Sequence, residues 1–117
     1  MPIADIPCPT IVVTDGDSLR CGSERLRLLG IDAPELHGCP SYRVCVAGDG
    51  QASKRSLQEA VRAGPFRYRV VGHDRYGRSL VLAWAGSTNL GCYQLRARQA
   101  DYIVKWDNGG QLAKECQ

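Results

Sequence analysis

The sequence predicts an α+β fold that is mainly β: a five-stranded Greek-key barrel of the OB type carrying two to three helices. Three observations predict it. Five short segments are rich in β-branched or alternating apolar residues, and Gly, Asp and Pro turn signals separate them. A segment with helical periodicity falls between the third and fourth of these strands. The 117 residues, 44% of them hydrophobic, suit a single domain over residues 1–117 built around one small core.

Thr10 to Thr14 is β-branched and reads as the first strand. Asp15-Gly16-Asp17 is a turn signal, Ser18 to Cys21 returns as the second strand, and Gly22-Ser23 turns again. Arg25-Leu26-Arg27-Leu28 alternates strictly, as a half-buried third strand should. The chain then leaves the sheet at Asp32-Ala33-Pro34. Residues 36 to 50 combine Pro, several Gly and two Cys without periodicity, which predicts a long surface loop. Gln51 to Ala63 reads as a helix with Leu57, Ala60 and Val61 as its apolar stripe, stopped by Gly64-Pro65. Phe66 to Val71 is the fourth strand, with Phe66, Tyr68 and Val70 on one face. Gly72 to Gly77 is a polar turn. Ser79 to Ala85, nearly all apolar, is the fifth and central strand. Asn89 caps a second helix to about Arg98, and Gln111 to Cys116 is a candidate third. No repeat or linker interrupts this order.

The net charge of +3 permits a polyanionic partner but is equally explained by solubility. No apolar run is long enough to span a membrane. The start, Met1-Pro2-Ile3-Ala4-Asp5, shows no basic region followed by an apolar one, so either the protein is not exported or a signal has been removed. The cysteines favour export. Cys8, Cys21, Cys39, Cys45, Cys92 and Cys116 are an even set in a small domain, which suits a disulfide framework and a secreted or periplasmic setting. The absence of Cys-x-x-Cys, with only His37 and His73 as imidazoles, argues against structural zinc. Six reduced thiols in the cytosol are the alternative.

The most informative run is Arg27-Leu28-Leu29-Gly30-Ile31-Asp32-Ala33-Pro34-Glu35. It gathers a cation, a metal-ligand type and a general-base type on one short segment stiffened by Pro34. Asp15-Gly16-Asp17-Ser18 lies upstream and Asp74-Arg75-Tyr76-Gly77-Arg78 downstream. Each has a plain structural explanation alone: a hairpin turn, a turn residue before proline, solvated charges. Together, in this order, they resemble the staphylococcal nuclease (thermonuclease-like) family over roughly residues 10 to 100.

That resemblance implies metal-dependent hydrolysis of phosphodiester bonds in DNA and/or RNA. It implies metal carboxylates at Asp17 and Asp32 and a backbone carbonyl ligand at Ala33, with Ser18 replacing the family's threonine. Such a loose, oxygen-only set suits Ca2+. Glu35 matches the proposed general base. Arg27 and Arg78 match the two catalytic arginines, which meet phosphate oxygens bidentately. Gly77 supplies the positive φ that aims Arg78 back across the sheet. Arg75 and Tyr76 match substrate contacts. Trp106 reads either as a platform for a base or as a core or rim tryptophan. Lys54, Arg55 and Arg62 read as a solvated helix face, and His37 and His73 as loop residues. A monomer acting on nucleic acid, with no membrane partner, is the expectation. The alternative is an inactive nucleic-acid-binding or disulfide-held interaction module of the same fold.

Three departures from the family pattern stand out. Arg98-Gln99-Ala100 replaces the usual glycine after the second helix, so that helix lacks a cheap left-handed cap. The closing helix is short. The cysteines are foreign to the founding member. The last two are linked by the pairing Cys92–Cys116, which would pin the tail and contribute about 3 kcal/mol or a little more. Cys39–Cys45 would tether the long loop, and Cys8–Cys21 would bridge the first two strands, aided by a bulge near the Asp-Gly-Asp turn. Six cysteines admit other pairings as well.

Overall fold

In the computed structural model, residues 5–117 are described. Met1 to Ala4, and with them most of the segment read for a leader, lie outside that range. The strands are β1 (Ile6–Pro7), β2 (Val12–Asp15), β3 (Ser18–Cys21), β4 (Glu24–Leu28), β5 (Ile31–Asp32), β6 (Phe66–His73), β7 (Ser79–Ala85), β8 (Thr88–Asn89) and β9 (Asp101–Tyr102). The helices are α1 (Gly50–Ala60), α2 (Leu90–Arg96) and α3 (Gln111–Glu115). The main sheet runs β1-β6-β7-β4-β3-β2, with β8 pairing onto β7. It curls into a half-barrel of mixed strands with three helices, consistent with the OB type. β7 is central, antiparallel to β6 and parallel to β4. Burial on both faces explains why its sequence is nearly all apolar. Leu19, Leu26, Leu28, Leu57, Val81 and Leu90 fill the interior.

The five predicted strands are present as β2, β3, β4, β6 and β7, with ends shifted by a residue or two. Four further strands of two residues each were not legible, because two residues carry no period. One refines the expected path. The chain leaves the main sheet already at Leu28, and Ile31 and Asp32 pair with Tyr102 and Asp101 in a separate two-stranded sheet before it leaves sheet structure at Ala33, as expected. The tail is tied back a second time, by Ile103 N–H donating to the Gly30 carbonyl at 2.8 Å.

All three expected disulfides form. Cys8–Cys21 has the expected partners but not the expected elements. Cys8 N–H donates to the Phe66 carbonyl at 3.1 Å, so Cys8 continues β1 along β6, whereas Cys21 ends β3. The bond therefore links the β1 edge of the curled sheet to β3, the strand next to its opposite edge. The bulge near the Asp-Gly-Asp turn is present between Val13 and Asp15.

Helix α1 is capped by Asp49, whose carboxylate accepts from the Gln51 and Ala52 amides. Its last turn tightens to a 3-10 turn over Val61–Ala63, leaving Val61 half-buried. Helix α2 starts as expected, with the Asn89 side chain accepting from Cys92 N–H at 3.0 Å. It ends in a left-handed cap despite lacking glycine. Arg98 adopts φ 58°, Gln99 N–H bonds to the Gln94 carbonyl and Arg98 N–H to the Leu95 carbonyl. This is the Schellman pattern, built at the cost of about 1 kcal/mol for a residue with a Cβ.

Candidate active site

One cleft of about 930 Å³ opens beside β4 and is lined by all nine residues singled out above: Asp17, Arg27, Asp32, Ala33, Glu35, Arg75, Tyr76, Arg78 and Trp106. Three elements deliver the anionic end. The Asp15-Gly16-Asp17 turn sits between β2 and β3, and Leu28 N–H donates to the Asp17 carbonyl at 2.9 Å. β4 carries Arg27. β5, held by β9 on one side, presents Asp32.

Arg27 lies between the two aspartates. Its Nη1 is 2.8 Å from Asp17 Oδ2 and its Nη2 is 3.5 Å from Asp32 Oδ1, and Nη2 also donates to the Ile31 carbonyl at 3.2 Å. Its guanidinium stacks over Trp106 at 5.4 Å, so Trp106 stands at the cleft rim against a cation. Asp17 accepts further from Ser18 Oγ (2.8 Å) and Ala33 N–H (2.9 Å).

The electrostatics of this end follow from crowding. Burial pushes the Asp32 carboxyl up; Arg27 and Arg43 oppose this, while nearby Asp17 adds to it. Asp15 is raised in the same way, by burial and then by Asp17. Burial alone would lower Arg27, but Asp17 and Asp32 more than compensate, and it lies above its usual value. Glu35 stands on the next turn. Its placement depends on Gly50, where an added Cβ would come within 2.3 Å of the Glu35 carbonyl oxygen. Any larger residue at the start of α1 would push that segment away.

Arg78 approaches from β7. Asp74 accepts from Arg78 Nε at 2.6 Å and from the Tyr76 and Arg78 amides at 2.9 Å each. Burial opposes these bonds, but they win and hold the Asp74 carboxyl below its ordinary range. Gly77 takes φ 81°, as the expected turn requires. The Tyr76 ring lies under both Arg75 (5.1 Å) and Arg78 (5.8 Å). Lys54, Arg55 and Arg62 do not line the cleft, and neither do His37 and His73.

Sequence reasoning missed four residues here. Arg43, in the long loop, reaches Asp32 Oδ2 at 3.3 Å and Glu35 Oε1 at 3.0 Å. Asp15 lines the cleft as well as forming the turn. Gln94, fully buried, donates from Nε2 to the Gly16 carbonyl (2.7 Å) and the Ser53 carbonyl (3.0 Å) and accepts from Ser56 Oγ (2.6 Å). It thereby fixes the Asp15–Asp17 turn onto both helices. Asp107, also fully buried, accepts from Leu112 N–H, Ala113 N–H and Tyr102 Oη, which joins α3 to β9 and so to Asp32. A polar residue amid an apolar helix stripe was the only sequence signal for Gln94.

Among the described residues no three His, Cys, Asp or Glu side chains form a group that would enclose a metal ion. The cleft offers two buried carboxylates beside Ala33, with burial disfavouring the charged form of Asp32. A cation placed there would favour it. An oxygen-only donor set with few protein ligands fits a hard divalent ion that keeps much of its water, such as Ca2+. It does not fit zinc, which prefers a closed nitrogen and sulfur shell.

The family model described as staphylococcal nuclease homologue matches residues 25–112. The chain is also similar to a Haemophilus influenzae protein named an uncharacterized endonuclease, at 32% identity over 88 residues covering 71% of this chain. This chain spans 44% of that relative's length. The matched region contains Arg27, Asp32, Glu35, Arg78 and Trp106 on the strands and tail that build the cleft: the chain belongs to the staphylococcal nuclease homologue family.

Proposed function

We propose that this protein is a calcium-dependent nuclease that hydrolyses phosphodiester bonds of DNA and/or RNA. One observation carries this reading. Arg27 bridges Asp17 and Asp32 at the end of a cleft that Glu35 and Arg78 also line. Asp17, Asp32 and the Ala33 carbonyl would hold the ion, which would supply positive charge toward the phosphate. Glu35 takes a proton from the attacking water, directly or through a second water. The new P–O bond forms as the bond to the leaving oxygen breaks, and that oxygen is protonated from solvent. Arg27 and Arg78 stabilise the charge that builds on the non-bridging oxygens. Arg78 suits this role because Asp74 holds only its Nε, leaving its terminal nitrogens for substrate. Arg75 and Tyr76 contact the neighbouring phosphate and nucleotide, and Trp106 stacks a base at the rim. Contacts of this kind read neither base sequence nor, strongly, the sugar. The three disulfides support an oxidising setting, secreted or periplasmic, and the protein acts as a monomer. Among the described residues no helix is long and apolar enough to cross a membrane.

The test is digestion of single-stranded DNA and of RNA with calcium, with magnesium and with excess chelator. Calcium is expected to support cleavage. Magnesium supports it poorly, because the site lacks the ligands for a strict octahedron. Undiminished digestion in chelator would overturn the metal reading. No cleavage of either substrate with calcium would leave a binding module of the same fold.

A further inference from the structure

Arg43 is foreign to every motif that marks this site, yet its guanidinium forms an ion pair with Glu35. It sits inside the ring closed by Cys39–Cys45, cysteines six apart in sequence whose Cα atoms lie 5.9 Å apart. One guanidinium spans two carboxylates: Nη2 is 3.3 Å from Asp32 Oδ2 and Nη1 is 3.0 Å from Glu35 Oε1. Since Arg27 holds the other oxygen of Asp32 at 3.5 Å, both oxygens of that carboxylate face cations. A divalent ion cannot join this corner without removing one of them, because three cations would then crowd one carboxylate in a partly dehydrated space. The two arginines are unequal. Arg27 stands on a strand with its side chain 13% exposed and has Asp17 and the Ile31 carbonyl as further partners. Arg43 stands on a loop outside the sheet, 37% exposed, and among the described residues its side chain has only Asp32 and Glu35 as partners.

We propose that Arg43 is a tethered competitor of the divalent cation. It closes the corner between Asp32 and Glu35, the cation must expel it to bind, and the Cys39–Cys45 ring sets its strength by confining it near that corner. A group confined in this way acts at an effective concentration of about millimolar or more. The inference rests on the calcium reading of the same site. It adds that metal affinity is set partly from outside the ligand set, by a disulfide.

The test is calorimetric titration of the disulfide-intact protein with calcium chloride, without nucleic acid. Arg43→Gln is expected to bind calcium roughly 2- to 5-fold more tightly than the unaltered chain, the range for losing a partly exposed ion pair. Arg75→Gln removes the same charge from the same cleft without touching Asp32 or Glu35, and its affinity stays within twofold. Replacing Cys39 and Cys45 together by Ser tightens binding by a smaller factor. In the Arg43→Gln background the same replacement changes nothing further, which separates the tether from any general loosening. Equal affinity in the unaltered chain and Arg43→Gln overturns the proposal and leaves the calcium reading standing. Equal tightening by Arg75→Gln also overturns it, by making the effect one of net charge. No heat of binding in either protein, with near-ultraviolet circular dichroism showing both folded, overturns the calcium reading and the proposal together.

Discussion

Arg27 and Arg43 approach opposite oxygens of the same carboxylate, Asp32, but different physics holds them there. Arg27 is positioned by the sheet. β4 pairs with β3 and β7, Leu26 and Leu28 on either side are buried, and the side chain has three partners. Arg43 is positioned by a covalent ring on a loop with exposed neighbours, Tyr42 at 86% and Val44 at 97%. The sheet fixes a charge by many weak terms that fail only together. The ring fixes one by restricting where a short segment can go, and leaves the native loop free to move once it is cut. Rigid elements are the better support for groups that must meet a developing charge, and a tethered loop suits a group that must leave.

The largest test of that contrast is on turnover. Arg78→Ala removes a charge held by Asp74 in the tight turn at the foot of β7, one that acts in the transition state, and a loss on the order of 10³–10⁵ in kcat is expected by analogy with arginines in phosphoryl transfer. Glu35→Gln keeps shape and removes the base, with a loss of roughly 10²–10⁴. The double variant falls short of the product of the two, because both groups act on one phosphate and its water. Arg43→Gln, at saturating calcium, changes kcat by less than about tenfold. If Arg43→Gln matched Arg78→Ala, the division between a working sheet and a yielding loop would be wrong.

The same division marks what the sequence made legible. β4, with its two-residue period, and β3 and β7, bounded by clear turn signals, lie within a residue of where the sequence puts them, and the residues on them or on their turns meet in one cleft. The cysteine pairs were legible because an even set in a small chain with a short tail has few sensible uses. What was not legible depends on closure. β5 and β9 exist only because the tail returns, and the tail returns because Cys92–Cys116 and Asp107 fold it back. Arg43 carries no signal of its own, since its reach follows from where the ring lands. Gln94 reads as one polar residue in a helix until both helices and the Gly16 turn close around it. The left-handed Arg98 shows the converse: the expected loss of a glycine cap was a correct warning about propensity, and tertiary contacts overrode it.

A smaller test is on stability. Arg27→Ala leaves Asp17 and Asp32 buried together without their shared cation, and removing one member of a buried pair costs about 3–5 kcal/mol. Arg43→Gln costs about 1 kcal/mol or less, as exposed pairs do. Urea unfolding at neutral pH without calcium measures both. Asp17→Asn combined with Arg27→Ala recovers part of the loss, because the uncompensated charge is gone. A near-equal cost for the two arginines would mean that the sheet does not hold Arg27 more firmly than the ring holds Arg43.

The disulfides come next. Loop entropy assigns about 3 kcal/mol to Cys92–Cys116 and about 2 kcal/mol to Cys39–Cys45 from their separations of 24 and 6 residues. Replacing Cys92 and Cys116 by Ser is expected to cost close to its full value, since α2 and α3 stay packed when the bond is cut. Replacing Cys39 and Cys45 costs well under its full value, because the freed loop gains entropy in the native state too. Equal shortfalls in the two unfolding curves would remove the distinction.

The smallest effect is a pH dependence confined to the sheet. Tyr68 on β6 is 2% exposed, and its hydroxyl donates to Glu24 Oε1 at 2.6 Å, while Ser79 Oγ donates to Glu24 Oε2 at 2.8 Å. Through Glu24 these bonds join β6, β4 and β7 at the end of the half-barrel from which β4 carries Arg27 to the cleft. Burial, then the bond to Glu24, pushes the Tyr68 hydroxyl up to about 12 from 10.0. The folded value is the higher one, so the folded chain keeps this proton where the unfolded chain has lost it. The contribution is therefore complete below about pH 10 and is lost as pH rises through about 12. On the order of 1 kcal/mol has gone by about pH 11. Tyrosinate absorbance followed against pH should show Tyr68 ionising late, alongside Tyr102, which its hydrogen bond to Asp107 also raises, together with a fall in urea midpoint. Tyr68→Phe should remove one phenol from the late step, whereas Tyr42→Phe, which alters the ring, should leave it in place. A late step undiminished in Tyr68→Phe would overturn the assignment to Tyr68, and one that moves with Tyr42→Phe would show that the ring and the sheet respond as one unit, so that the contrast between Arg27 and Arg43 would lose its physical basis.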